Sequence, residues 1–271
     1  MDEASLRADM IEGLEHQIGE TLDEPVLAAL QRVSRDPFVD DAPTTGGETG
    51  RGSGGGGNGD RSLELATVVR LISALDVAEG DEVLVVGAGV GYSVALLAEI
   101  AGAKRVHAVD IDREAVAIAR SNLSTAGYDA VLVDRRDGAN GLPEYAPYDR
   151  ILLEAGVVEP PRALREQLAD GGRIVYPRGT AVQTLAAIEP SPDGTASDGV
   201  TADAADDDDA PSGFRTVETA GPARLQPMLV DGEQRGVERN RTHREDAERA
   251  EQGHFARHGW EQDWIDWDDR L

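Results

Sequence analysis

Three glycines at alternating positions, Gly87, Gly89 and Gly91, occupy the stretch "VVGAGVGYS" between an apolar run and a helical pattern. Without side chains they let the backbone approach a ligand, and they lead into a helix whose first amides carry partial positive charge. A dinucleotide fingerprint needs glycine at the first, third and sixth positions of such a turn, but the sixth here is Tyr92, which argues against a pyrophosphate. Asp110, 23 residues after Gly87 and followed by Ile111, closes the next apolar run, where a carboxylate can accept from both hydroxyls of a ribose. Farther on, "RRDGANG" sets Asp137 and Gly138 after a third run, where a carboxylate can accept from an adenine amino group. A ligand with ribose and adenine but no pyrophosphate is S-adenosylmethionine. Gly87, Gly89, Gly91, Tyr92, Asp110, Ile111, Asp137 and Gly138 are therefore its candidate contacts. The competing reading is that the glycines only tighten a strand-to-helix turn and the acids only cap helices.

These residues need a scaffold that brings the ends of several strands together. Short apolar runs at 83–86, 106–109, 130–133, 150–153 and 173–176 alternate with amphipathic patterns at 92–101, 113–126 and 160–169. Such alternation implies an α/β fold with a mostly parallel, doubly wound sheet, Rossmann-like, whose ligands lie beyond the carboxyl ends of the strands. Two more strand-like runs, 182–188 and 225–230, are expected to end the sheet as an antiparallel pair, with the acidic stretch 190–213 a disordered insertion between them. Upstream, 5–35 reads as helical, with Ile11, Leu14, Ile18, Val26, Leu27, Leu30 and Val33 at helical spacing, and helix resumes at about Ser62. Four segments follow: a helical 1–43, a glycine-rich flexible loop 44–61, a ligand-binding domain 62–231 and a charged, partly helical tail 232–271. Trp260, Trp264 and Trp267, at helical spacing, mark a stripe that docks on the chain's own surface or on a partner.

Composition narrows the partners. The 271 residues carry 52 acidic against 26 basic side chains, a net charge of -26, and Lys104 is the only lysine. At molar salt the screening length shrinks to about 3 Å and such a surface no longer repels itself. The composition thus suggests a cytoplasmic protein of a salt-rich cell, or else an acidic protein with a disordered tail. Nucleic acid is disfavoured because no basic face is available to neutralise phosphates. Cysteine is absent, which excludes disulfides, thiolate metal sites and a cysteine nucleophile. No apolar stretch approaches the roughly 20 residues that span a bilayer, and the N-terminus lacks the regions of a signal peptide. His254 and His258 have an i, i+4 spacing but no evident third ligand, so no metal is expected. His107 reads as a half-buried strand residue.

The segments "VLAALQRVSRDPFV", "VLVVGAGVGYSVALLAEIAG", the Asp137-Gly138 pair, "LPEYAPYDRILLEAG", "PPRALREQLADGGRIVYPRG", "VQTL" and "RLQPMLV", in that order over about residues 10–231, resemble the protein L-isoaspartyl (D-aspartate) O-methyltransferase family. The resemblance implies the S-adenosylmethionine-dependent methyltransferase fold and an enzyme that esterifies isoaspartyl carboxylates in damaged proteins, so that its partners are protein or peptide substrates bearing isoaspartyl residues. Two positions depart from the family pattern. Where the family has "GQTIS" before a proline, aligning Gly59 with its glycine puts Leu63 at the hydroxyl position and Ser62 one residue early. Where the family has "VTAA", this chain has "LEAG", with Glu154 in place of a threonine. Ser62 and Glu154 are accordingly the candidate catalytic residues. An ionised Glu154 near the methyl would repel an acceptor carboxylate, by several kcal/mol in a dry site.

Three functions stay open on these residues. The first is isoaspartyl repair, with Ser62 recruited and Glu154 turned outward. The second is a methyltransferase for another acceptor, with Glu154 as base or orienter. The third is a protein that binds S-adenosylmethionine without turnover.

Overall fold

In the computed structural model, which describes residues 3–19, 21–39, 63–179, 182–192 and 210–230, the chain forms six α-helices and seven strands among the described residues. They are α1 (Glu3–Ile18), α2 (Glu24–Arg32), α3 (Leu65–Leu75), β1 (Val83–Val86), α4 (Tyr92–Ala101), β2 (Val106–Asp110), α5 (Arg113–Thr125), β3 (Leu132–Arg135), β4 (Tyr148–Leu153), α6 (Arg162–Glu166), β5 (Leu168–Arg178), β6 (Gln183–Pro190) and β7 (Phe214–Ala223). One sheet runs in the order β3-β2-β1-β4-β5-β6-β7, with β1 to β5 parallel and β6 and β7 antiparallel. The expected architecture, parallel and ending in an antiparallel pair, is the observed one.

The strand period of two divides the core. Val83, Val85, Ala108, Leu152 and Val175 pack on the face covered by α1 to α5, together with Ile11, Leu14, Val26 and Leu30 from the N-terminal helices. Their neighbours Leu84, Val86, Val109, Ile151, Leu153 and Ile174 pack on the opposite face, with Leu142, Tyr148, Leu164 and Met228. Each strand of the sheet's centre is buried on both sides, which is why it reads as a continuous run of branched apolar residues rather than an alternating one. At the end of α3 Asp76 turns left-handed, with φ 53°, and two arginines supply cations there. Arg150 Nε donates to the Asp76 carbonyl at 2.8 Å and Arg173 Nη1 to the Ala74 carbonyl at 3.0 Å.

Several expected boundaries are corrected. The helix over 5–35 is two helices; between them the Leu22 amide turns back to the Glu15 carboxylate at 3.0 Å. Strand β3 begins at Leu132 rather than 130. The helix expected at 160–169 is only Arg162–Glu166, because the chain from Leu168 is drawn into β5 by pairing with Tyr148. A bulge there lets Leu168–Arg173 face Tyr148–Arg150. The partner of β6 is β7 over Phe214–Ala223, not 225–230. Leu225 is instead gripped by a side chain: its amide donates to Gln183 Oε1 at 2.7 Å and its carbonyl accepts from Gln183 Nε2 at 2.8 Å. His107 is more deeply buried than expected, its ring 4.4 Å from that of Tyr145, and burial holds its pKa below the ordinary value. The expectations for 44–61, for most of the 190–213 insertion and for the 232–271 tail with its histidines and tryptophans fall outside the described residues.

Candidate functional site

Strand order reverses between β1 and β4: the chain leaves β1 toward β2 and β3, and leaves β4 toward β5. At such a point the loops after two adjacent parallel strands separate and leave a crevice at their carboxyl ends. The loop after β1 is the glycine turn. The loop after β4 begins with Glu154, whose amide donates to the Val86 carbonyl at 2.8 Å.

Gly87 and Gly91 have φ of 97° and 92°, a region that costs other residues strain. A Cβ on Gly87 would also lie 3.4 Å from that of Glu154, and one on Gly91 3.3 Å from Leu123 Cγ, so the turn is pressed between β4 and α5. Its position is fixed from the side of β2. The Gly87 amide donates to the Val109 carbonyl at 2.8 Å, and the Gly89 amide to Asp110 Oδ2 at 3.1 Å. Asn122 Nδ2 holds the Val90 carbonyl at 3.0 Å. Asp110 is 5% exposed, and its other oxygen, Oδ1, accepts from the Asp112 amide at 2.9 Å. A carboxylate has about four lone-pair sites, more than these two bonds use. Ile111 follows at the rim, partly exposed, its carbonyl accepting from Arg135 Nε at 3.4 Å.

Tyr92 begins α4 and lines the crevice, but its ring also anchors the N-terminal segment. The Phe38 ring lies 5.5 Å away and the Arg35 guanidinium 5.4 Å from its centre. After β3, Asp137 Oδ1 accepts from the Ala139 amide at 2.9 Å and caps a short 3-10 turn. Gly138 has a packing reason of its own: a Cβ there would run into Val86 Cγ1.

Ser62 falls outside the described residues, whereas Leu63 is described and lines the same small cavity as Val68, Ala88, Val90, Gly91, Tyr92, Ser93 and Glu154. Glu154 is partly buried, with its Oε1 sealed from solvent. Burial pushes its carboxyl up to about 8; a hydrogen bond from Ser93 opposes the shift and the nearby Asp110 adds to it. Its Oε1 has no hydrogen-bond partner. Glu154 thus faces inward rather than outward, and near neutral pH it is mostly the uncharged acid, so the repulsion expected from a carboxylate there is largely absent. Ser93 and Asn122 were not singled out from sequence. Ser93 had a signal, as a hydroxyl in the first turn of the helix after the glycines. Asn122 had none, lying 31 residues beyond Gly91.

Among the described residues, no three His, Asp or Glu side chains are grouped to hold a metal ion, and no helix is long and apolar enough to cross a membrane. The family model for protein-L-isoaspartate(D-aspartate) O-methyltransferase matches residues 6–203, well over half of the chain. The chain belongs to that family. A protein-L-isoaspartate O-methyltransferase of Methanosarcina mazei is 37% identical over 195 residues, 68% of this chain and 74% of the relative. One from Aeropyrum pernix is 46% identical over 141 residues, 51% of this chain and 54% of the relative, so the chain spans only about half of that relative's length. The fold is also that of a putative protein-L-isoaspartate O-methyltransferase from Plasmodium falciparum, solved with S-adenosyl-L-homocysteine. That likeness has a TM-score of 0.58 at 16% identity and covers 82% of this chain and 97% of the other.

Proposed function

We propose that the chain is an S-adenosylmethionine-dependent methyltransferase that esterifies the side-chain carboxylate of isoaspartyl residues in damaged proteins. The observation that carries the reading is the glycine turn bound through Gly89 to Asp110 at the switch point of the sheet, in a chain of this family. Two features fit the donor. The turn offers bare backbone beside a buried carboxylate suited to a ribose, and Glu154 Oε1 is a buried acceptor that lacks a partner in the protein. When bound, the donor supplies a methyl group on a sulfonium, a leaving group that needs no activation.

On this reading Asp110 holds the ribose, Asp137 meets the adenine amino group, and Gly87, Gly89 and Gly91 let the backbone approach. Tyr92 and Ile111 close the rim. The acceptor carboxylate is already a nucleophile, so the protein's task is to align it and exclude water. Leu63, Val68 and Val90 give the cavity an apolar wall that does so. Ser62 is the hydroxyl nearest in sequence that can orient the acceptor. A second reading, transfer to a neutral acceptor, draws on Glu154, whose pKa of about 8 suits a general base. The net charge of -26 and single lysine support the cytoplasm of a salt-rich cell as the setting.

The test is transfer of labelled methyl to paired peptides that differ only in an isoaspartyl or aspartyl linkage. The proposal expects a base-labile ester on the isoaspartyl peptide alone. Transfer to neither peptide, with transfer to an alcohol or amine acceptor, would favour the second reading.

A further inference from the structure

Glu154 presents an unusual combination. Its Oε1 is buried and has no partner, and it lines the cavity that includes Ala88, Val90 and Gly91 of the glycine turn. A buried carboxyl oxygen without a partner is costly, because it forgoes water and gains no hydrogen bond in exchange. Among the described residues, the groups packed around it do not supply a cation. From the glycine turn come Gly87, Ala88 and Val90, from α4 Tyr92 and Ser93, from the segment before α3 Leu63, from α3 Val68, and from β2 the carboxylate of Asp110. Ser93 donates a hydrogen bond to it, and the Arg35 guanidinium sits over the Tyr92 ring. Among the described residues, an ionised Glu154 would therefore have no cationic partner.

We infer that Glu154 reads the charge of the methyl donor: its carboxylate pairs with the sulfonium of S-adenosylmethionine, whereas it faces the uncharged thioether of the demethylated product as the neutral acid. The inference rests on the proposed function, and explains how an acid is tolerated opposite an acceptor carboxylate. Without the donor the site holds a neutral carboxyl, with it a neutral ion pair, and in neither state does net negative charge meet the acceptor. Donor binding then expels the Glu154 proton, and methyl transfer, which removes the sulfonium charge, returns one. The product loses its ionic partner and is held less tightly than the donor at alkaline pH.

Calorimetric titration of the full chain at pH 7, in two buffers of different ionisation enthalpy, reads the proton directly. With Glu154 titrating near 8, close to one proton should leave per S-adenosylmethionine bound and almost none with S-adenosylhomocysteine. The donor's Kd should tighten by up to about tenfold per pH unit from pH 6 and level off above about 8, while the product's stays flat. Glu154→Gln should abolish both the proton release and the pH dependence. Equal release with donor and product, or no release with the donor, overturns the inference even where both bind. The comparison of the two ligands needs no variant, so it stands if Glu154→Gln fails to fold. If neither ligand binds at any pH, the donor site itself is refuted, which is a distinct result.

Discussion

Replacing Glu154 by glutamine keeps the side chain's shape and its capacity to bond Ser93 while removing the charge. In the folded chain the carboxyl titrates at about 8 rather than 4.5, chiefly because burial disfavours the anion. Between those values the unfolded chain has lost the proton that the folded chain retains. By linkage the contribution of Glu154 to stability therefore falls as pH rises from 4.5 to about 8 and levels off above that. At 1.36 kcal/mol per pH unit the full span is about 5 kcal/mol, and relaxation around a buried charge reduces this to roughly 2–5 kcal/mol. Glu154→Gln has no such slope. Urea unfolding at constant high salt from pH 5 to 8.5 should give curves for the two proteins that nearly coincide at pH 5 and separate in favour of the variant by pH 8.5. Parallel curves across that range would refute a buried, protonated Glu154.

Other residues give sharper packing or binding tests. Gly138→Ala forces a methyl into Val86 and should cost about 1–3 kcal/mol; adding Val86→Ala should recover part of that loss in thermal unfolding, which a purely ligand-contacting glycine would not allow. Gln183→Ala leaves the buried amide and carbonyl of Leu225 without their partners and should destabilise by about 1–3 kcal/mol, read as a lower Tm, with unchanged stability contradicting the clamp. Asp110→Asn keeps one carbonyl oxygen and so cannot accept both the Gly89 and Asp112 amides. It should weaken S-adenosylhomocysteine binding at least about tenfold, equivalent to about 1.4 kcal/mol, as measured by calorimetry.

Much of the fold was legible because its centre follows one rule: strands buried on both faces become short branched runs, and Val83–Val86 and Val106–Val109 are such runs. The donor half of the site was legible for a related reason, since Gly87 and Asp110 lie at the carboxyl ends of those two strands, which pair in parallel and so end side by side. The rim of the sheet was not legible. Strand β7 is a half-exposed edge whose sequence, "FRTVETAGPA", has little apolar signal, whereas 225–230 is apolar but hydrogen-bonds to Gln183 and Gly156 rather than to a strand ladder. The shortening of α6 depended on Leu168 pairing with Tyr148, a contact between elements that local propensity does not encode. Gly138 looked like a ligand contact and has a packing explanation in Val86. Glu154 was recognised as out of place, but its burial and its Ser93 partner depend on where β4 ends relative to the glycine turn.

A crystal structure with S-adenosylhomocysteine bound tests the donor site most directly. The ribose hydroxyls should lie within hydrogen-bond distance of the Asp110 carboxylate, the adenine amino group at Asp137, and the thioether against the glycine turn beside Glu154. An adenosyl group bound elsewhere, with no ribose hydroxyl near Asp110, would contradict the assignment of this crevice.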